Sequence, residues 1–292
     1  MLKFLALIFL LLAVLPCATF AQNAYNPLGF WARGAVRTIR IEKFRVEIKR
    51  GVRSENLTKV ETITYDQASR TIERAEEESR SVSILDAEGN EIETAVYTGA
   101  ELFMRSTRTR NQDGSWTETT YAADGSVLGK ERRSIITKGK VEYGTTESSG
   151  IDPASGKLAT TVRRYVNKRV YDSQGREIES TTGESEGNPS HKLLTEYDAG
   201  GLVRRSISVQ YGQVDATHSV KLGRNETMFD ARGDELRRIS YDSQGKITHE
   251  TNFTREYDSR SNWIVETAVH TGTEYGKPFK FTEVTRRTLT YF

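Results

Sequence analysis

The sequence predicts an all-β protein, an antiparallel meander of β-hairpin repeats forming one extended, twisted or curled sheet. Three observations predict it. A unit of aromatic residue, Asp, two free positions and Gly recurs along the chain; apolar and polar residues alternate with period two between its copies; and no convincing helical period appears. The full copies are Tyr171-Asp172-Ser173-Gln174-Gly175, Tyr197-Asp198-Ala199-Gly200-Gly201, Phe229-Asp230-Ala231-Arg232-Gly233 and Tyr241-Asp242-Ser243-Gln244-Gly245. Weaker ones are Leu85-Asp86-Ala87-Glu88-Gly89, Tyr65-Asp66-Gln67-Ala68-Ser69 and Tyr257-Asp258-Ser259-Arg260-Ser261-Asn262-Trp263.

The repeat has a physical reading. Asp is favoured at the first position of a type I turn and Gly at the fourth. The carboxylate accepts amides further round the turn, and Gly supplies a positive φ. A type I turn closed by a left-handed residue forms a G1 bulge and sends the chain back antiparallel. Each copy therefore marks the end of one strand and the start of the next. Asp86, Asp172, Asp198, Asp230 and Asp242, with Gly89, Gly175, Gly201, Gly233 and Gly245, are the structural turn residues.

In chain order, Lys3, the apolar run Phe4 to Leu15 and the small-residue stretch ending at Ala21 describe a secretory signal peptide over residues 1–21, cleaved after Ala21. The run is shorter than the roughly 20 apolar residues that span a bilayer, so the chain is expected not to be membrane-spanning. A lipid anchor at Cys17 is disfavoured by Pro16 in front of it. Cys17 is the one cysteine of the 292 residues, so the mature chain forms no disulfide. The next segment shows a parity switch: Ile39 and Ile41 fall on odd positions, Phe44, Val46 and Ile48 on even ones. Such a switch marks a β-bulge, expected near Glu42-Lys43. The acidic stretch Glu73 to Glu78 could form a short helix, though it lacks an apolar face. Farther on, Val203, Ile207, Val209 and Tyr211 share one parity, and Ile247, Phe253 and Tyr257 another such set, as in half-buried strands. No linker divides residues 22–292, which read as a single repeat domain.

Catalytic patterns do not survive inspection. Gly183-Glu184-Ser185-Glu186-Gly187 matches G-x-S-x-G, but that motif needs a buried strand turning into a helix, and the flanks here read as a hairpin tip. The four histidines, His191, His218, His249 and His270, have no ligand spacing, and the Asp residues lack the paired glycines of calcium-binding repeats. No phosphate loop is present. Catalytic residues, metal ligands and cofactors are therefore expected to be none. Forty-two basic against forty acidic residues leave a net charge of +2, which together with export argues against nucleic acid. Arginine pairs such as Arg132-Arg133, Arg204-Arg205 and Arg237-Arg238 place one Arg on each face of a strand, opposite Glu on its neighbours. Trp116 and Trp263 are candidate carbohydrate-binding rings, with cross-strand packing as their ordinary alternative. Asn56, Asn225 and Asn252 fit the glycosylation acceptor pattern, which matters only in a eukaryotic secretory route.

The aromatic-Asp-x-x-Gly copies, each followed within three residues by an aliphatic (Ile92, Ile178, Val203, Leu236, Ile247), resemble the YD repeat of bacterial RHS-type proteins and animal teneurins. Tyr257 to Trp263 is similar to the variant in which Gly-Asn-Trp follows the turn. The resemblance spans Tyr65 to Trp263 and identifies the chain as similar to small secreted YD-repeat proteins. It implies a long antiparallel meander, 22–292 as a YD-type β-repeat domain, and surface, adhesive or carbohydrate-binding roles. Spacing between copies varies more than in the large members, and the chain is too short to close their toxin-enclosing shell. The expectation is an exported, non-enzymatic binding or structural module, periplasmic, cell-surface or secreted, with a glycan or envelope protein as partner. The alternatives are a carbohydrate-binding module built on Trp and Tyr and, behind it, a cell-wall-acting glycosidase.

Overall fold

Hairpin after hairpin, the chain builds a single antiparallel sheet, and that sheet closes on itself. In the computed structural model the residues described are 35–138, 141–151, 158–185, 188–213 and 219–292. The expected signal peptide with Cys17 and the expected cleavage after Ala21, Glu186-Gly187 and His218 lie outside them. The strands are β1 (Val36–Lys49), β2 (Val52–Asp66), β3 (Thr71–Glu76), β4 (Ser79–Leu85), β5 (Glu91–Thr98), β6 (Glu101–Arg110), β7 (Trp116–Ala122), β8 (Val127–Lys138) and β9 (Val141–Ile151). They continue as β10 (Leu158–Tyr171), β11 (Glu177–Ser185), β12 (Asn188–Tyr197), β13 (Val203–Gln213), β14 (Ser219–Phe229), β15 (Glu235–Asp242), β16 (Ile247–Tyr257), β17 (Trp263–Glu274) and β18 (Lys277–Tyr291). Every strand pairs with its sequence neighbours.

The ring is closed by β1, which pairs with β2 along one edge and with β18 along the other, Ile39 standing opposite both Ile63 and Leu289. The extended or curled open sheet expected from sequence is thus corrected to an 18-stranded barrel. Closure satisfies the two rows of backbone groups that an open sheet would leave as edges. Barrels of 8 strands are filled by side chains, whereas rings of about 16–18 strands leave a water-filled interior. Burial agrees with this: β7 is half-buried at every position, so neither of its faces carries a second layer.

The parity switch in β1 is present, with Ile39 and Ile41 on one face and Phe44, Val46 and Ile48 on the other. The bulge falls beside the expected place, between Lys43 and Phe44, and its extra residue is Thr58 of β2, skipped where Lys43 faces Lys59 and Phe44 faces Leu57. Against β18, β1 has a register shift of its own between Val36 and Thr38. One local expectation changes. Glu73 to Glu78 is not a helix: Glu73 and Glu76 belong to β3, and Glu77 takes a positive φ of 41° in the turn that follows. Cross-strand partners on both sides outweigh the weak local helical preference of an acidic run.

Candidate functional site: the inner wall of the barrel

Tracing directly opposed residues around the ring assigns every side chain to one of two faces. Ile39 faces Ile63, Ile63 faces Arg74 and Arg74 faces Ser81; passing between opposed residues and their same-face neighbours two positions along each strand, the face continues through Thr94, Ser106, Thr120, Gly129, Gly150 and Thr161 to Thr182, Leu193, Ser208, Asn225, Ser240, Thr251, His270 and Glu283. This face is concave. A pocket of ≈ 450 Å³ is lined through it by Glu131, Arg133, Thr146, Ser148, Arg163, Tyr165 and Thr182, which belong to four successive strands. It is therefore the inner wall. Hydroxyls dominate it and bond across strands, Ser83 to Thr94 at 3.1 Å and Ser106 to Thr120 at 3.4 Å.

The wall is not uniform. A meander reverses at every turn, so its connections alternate between two rims. Asp66, Asp86, Asp172, Asp198, Asp230 and Asp258 all lie at the rim where the chain also enters β1 and leaves β18; Asp242 lies at the other. On the first rim the aromatic or Leu before each Asp points inward. There, between β18 and β4, the wall packs on itself: Ile39 and Ile63 are 0% exposed, with Val36, Ile41, Ile72 and Leu85 around them and Tyr65, Leu289 and Tyr291 against them.

The Asp-x-x-Gly turns share one geometry, whereas in the copy at Asp66 the carboxylate accepts the Ala68 and Ser69 amides and the positive φ, 53°, falls at Arg70. In the copy at Asp172, its carboxylate accepts the amides of Gln174 and Arg176, its carbonyl accepts the Gly175 amide, and Gly175 has φ 78°. Asp230 and Asp242 do the same with Gly233 and Gly245 at 86° and 85°, and Ser261 takes the Gly place at 62° in the copy at Asp258. Two further turns escaped the sequence reading. Asn111 to Gly114 and Ala122 to Gly125 fold alike, with Asp113 and Asp124 capping Ser115 and Ser126 instead. Their D-G-S sequence was the signal available.

Three of the inward tyrosines also dock onto the preceding turn of their rim. The Tyr291 hydroxyl donates to Asp258 at 2.5 Å and accepts from Asn262 at 2.9 Å, with Arg260 over its ring. Tyr257 donates to Asp234 at 2.9 Å beneath Arg232. Tyr197 donates to the Glu177 carbonyl beneath Arg176. Burial, and then Asp234, push the Tyr257 hydroxyl up to about 12.

Trp263 lies in this packed arc under Arg287, whose guanidinium stands 3.3 Å from the ring centroid and is lowered to about 10 by burial. Beside it Arg255 and Glu266 form a nearly buried ion pair at 2.6 Å. Trp116 is half-buried on β7, many strands away around the ring, with Arg110 near its face. The two tryptophans are not brought together, and Trp263 presents no free face. Gly183 and Glu184 end β11, and β12 follows directly as a strand at Asn188. A Cβ at Gly183 would lie 2.3 Å from the Asn188 carbonyl, so Gly serves close strand approach there.

The pocket differs from the packed arc. Arg133 is engaged by Glu131. Arg163 and Arg164 are exposed and have no ion pair among the described residues, with Tyr165 and Tyr211 beside them. His191 bonds Ser208 at 2.8 Å. His249 and His270 meet on the wall between β16 and β17, and burial lowers the His270 imidazole below its ordinary range. No group of three or more His, Cys, Asp or Glu suited to a metal occurs among the described residues.

Ion pairs stand on both faces: Arg108–Glu118 and Arg169–Glu142 inside, Arg205–Glu226 and Arg237–Glu250 outside. Among the described residues no helix is long and apolar enough to cross a membrane.

No family model matches the chain, and no curated protein matches it. Among solved structures it is similar to a porin-like protein from Bacteroides uniformis, at 12% identity over 87% of this chain and 96% of that one, TM-score 0.39. A domain named for outer-membrane lipoprotein sorting from Vibrio parahaemolyticus is 11% identical over 87% and 86% of the chains, TM-score 0.27. A DUF1329 family protein from Desulfovibrio piger is 10% identical over 88% and 86%, also at TM-score 0.27.

Proposed function

We propose that the protein is an exported, non-enzymatic β-barrel acting as a binding module at the cell envelope or outside the cell, and that it holds an oxygen-rich, acidic glycan against its inner wall. The observation that carries this is the pocket between β8 and β13. Arg163, exposed and with no ion pair among the described residues, two tyrosines and a bank of Ser and Thr hydroxyls converge on ≈ 450 Å³ of open space. Arginine forks suit carboxylate and phosphate groups, hydroxyls suit sugar hydroxyls, and aromatic faces suit sugar rings. The residues that sequence reading put forward for sugar, Trp116 and Trp263, are less suited than Tyr165 and Tyr211. The leader over residues 1–21 and the resemblance to secreted YD-repeat proteins support export and a surface role.

The test is binding of acidic and neutral envelope glycans to the mature chain, with Arg163→Glu and Tyr165→Ala in parallel. Retention of acidic glycans by the parent and its loss in the variants is expected. Equal retention by parent and variants, or none by either, overturns the glycan assignment. Turnover on a hydrolase substrate panel that a single Glu131→Gln or Glu184→Gln change abolishes overturns the non-enzymatic one.

A further inference from the structure

We propose that His249, Thr251 and His270 form a binding site for a divalent transition cation, Zn(II) or Cu(II), on the inner wall away from the glycan pocket. Thr251 and His270 are directly opposed across β16 and β17, and His249 lies two residues before Thr251 on the same face. The three polar atoms make a nearly equilateral triangle: His249 Nε2 to His270 Nδ1 3.2 Å, Thr251 Oγ1 to His249 Nε2 3.2 Å, and Thr251 Oγ1 to His270 Nδ1 3.1 Å. The centre of such a triangle is about 1.8 Å from each corner. An ion roughly 1 Å off its plane stands about 2.1 Å from both nitrogens, the length of a zinc–imidazole bond. The fourth tetrahedral position is left to water or an incoming ligand.

The surroundings are those of a ligand set and more than a hydrogen-bonded ring requires. The far nitrogen of His270, Nε2, faces the Glu283 carboxylate at 3.5 Å, the outer-shell partner that orients metal-bound histidines. Phe281 stacks on His270 at 4.4 Å and Phe279 meets His249 edge-on at 5.4 Å, so both rings are held from behind. Gly272 opposite His249 makes this possible, since a Cβ there would lie 2.7 Å from the Phe279 ring. Thr251 is 4% exposed and cannot swing away. Two imidazoles and one hydroxyl select borderline cations over Mg(II) and Ca(II), which require oxygen ligands throughout.

The experiment is titration of the untagged mature chain with Zn(II) by calorimetry and with Cu(II) by electron paramagnetic resonance. One saturable site per chain is expected, with hyperfine coupling to two imidazole nitrogens in the Cu(II) spectrum. His249→Asn and His270→Gln should abolish it, Glu283→Gln should weaken it about tenfold or more, and His191→Asn should leave it intact. Absence of saturable binding, coupling to fewer than two nitrogens, or binding that survives His270→Gln overturns the site. The Cu(II) spectrum of the unaltered chain decides the matter if a variant fails to fold. Glycan retention without metal, or metal without glycan, distinguishes failure of this site from failure of the pocket assignment.

Discussion

At Gly175 the backbone sits at φ 78° and a Cβ would meet nothing within 4 Å, so any penalty for a side chain comes from the backbone itself. Gly175→Val is expected to cost about 1–2 kcal/mol through the left-handed clash, and Gly175→Asn less, because Asn tolerates that region. Urea melts of both variants check the order; equal stability of the two would contradict it. Tyrosine hydroxyls are the second residue-scale feature. Tyr291→Phe removes a bond to a charged carboxylate and leaves Asn262, itself 0% exposed, short of a partner. A loss of about 1.5–3 kcal/mol is expected, as for other hydrogen bonds to charged groups. Denaturant unfolding measures it, and an unchanged midpoint would mean that Tyr291 contributes packing alone.

Hairpins are the element that the sequence wrote most plainly, because Asp and Gly each do one stereochemical task at a set offset. The same carboxylates make the turns sensitive to acid. The Ser115 hydroxyl and amide, with Arg132, hold Asp113 at about 2; the Arg176 amide lowers Asp172, the Ser69 amide lowers Asp66, and the Asn90 and Ser126 side chains lower Asp86 and Asp124. A carboxyl lowered in the folded state binds its proton more readily when unfolded. Its contribution is complete above the unfolded value near 4 and is lost as pH falls through the folded value. Thermal stability is thus expected to hold down to about pH 5 and to decline between about pH 4 and 2, with turn amides exchanging first. A decline centred near pH 6 would point to histidine in place of these turns. Legibility ended where the offset changed: Asn111-Gln112-Asp113-Gly114 carries its Asp one residue before Gly, so the same turn was invisible to a pattern anchored on the first position. The bulge beside Lys43 was legible in place but not in partner, since parity in one strand reports a switch of faces and not which strand carries the extra residue, here Thr58 of β2.

For the whole molecule the decisive quantity is what fills the ring. If the interior holds water, Ser208→Cys and Ser240→Cys on the inner wall should react with a small hydrophilic maleimide in the native state, at rates within about tenfold of Thr254→Cys on the outer face. Cys17 is the one cysteine of the sequence, so a chain starting at residue 22 carries no competing thiol. Protection of both inner thiols until unfolding would show a filled interior and remove the basis for binding there. A substitution in the packed arc tests the opposite character: Ile39 is 0% exposed at the seam, and Ile39→Ala is expected to cost about 2–5 kcal/mol. A smaller loss would mean that β1 is peripheral and the ring opens easily.

Local chemistry by itself determined that this chain is all-β, that it reverses at Asp-Gly turns, and that one strand face differs from the other. Those properties depend on neighbours within five or six residues, and period and turn composition record them directly. Closure, the choice of inner face and the meeting of distant side chains were decided only in three dimensions. Whether β18 returns to β1 depends on twist and register summed over the whole ring, which no single hairpin encodes. His249 and His270 meet because two registers align, and Arg163 and Tyr211 share a pocket because the wall curves between them. Sequence spacing is blind to both, since cross-strand adjacency is a property of pairing and not of separation along the chain.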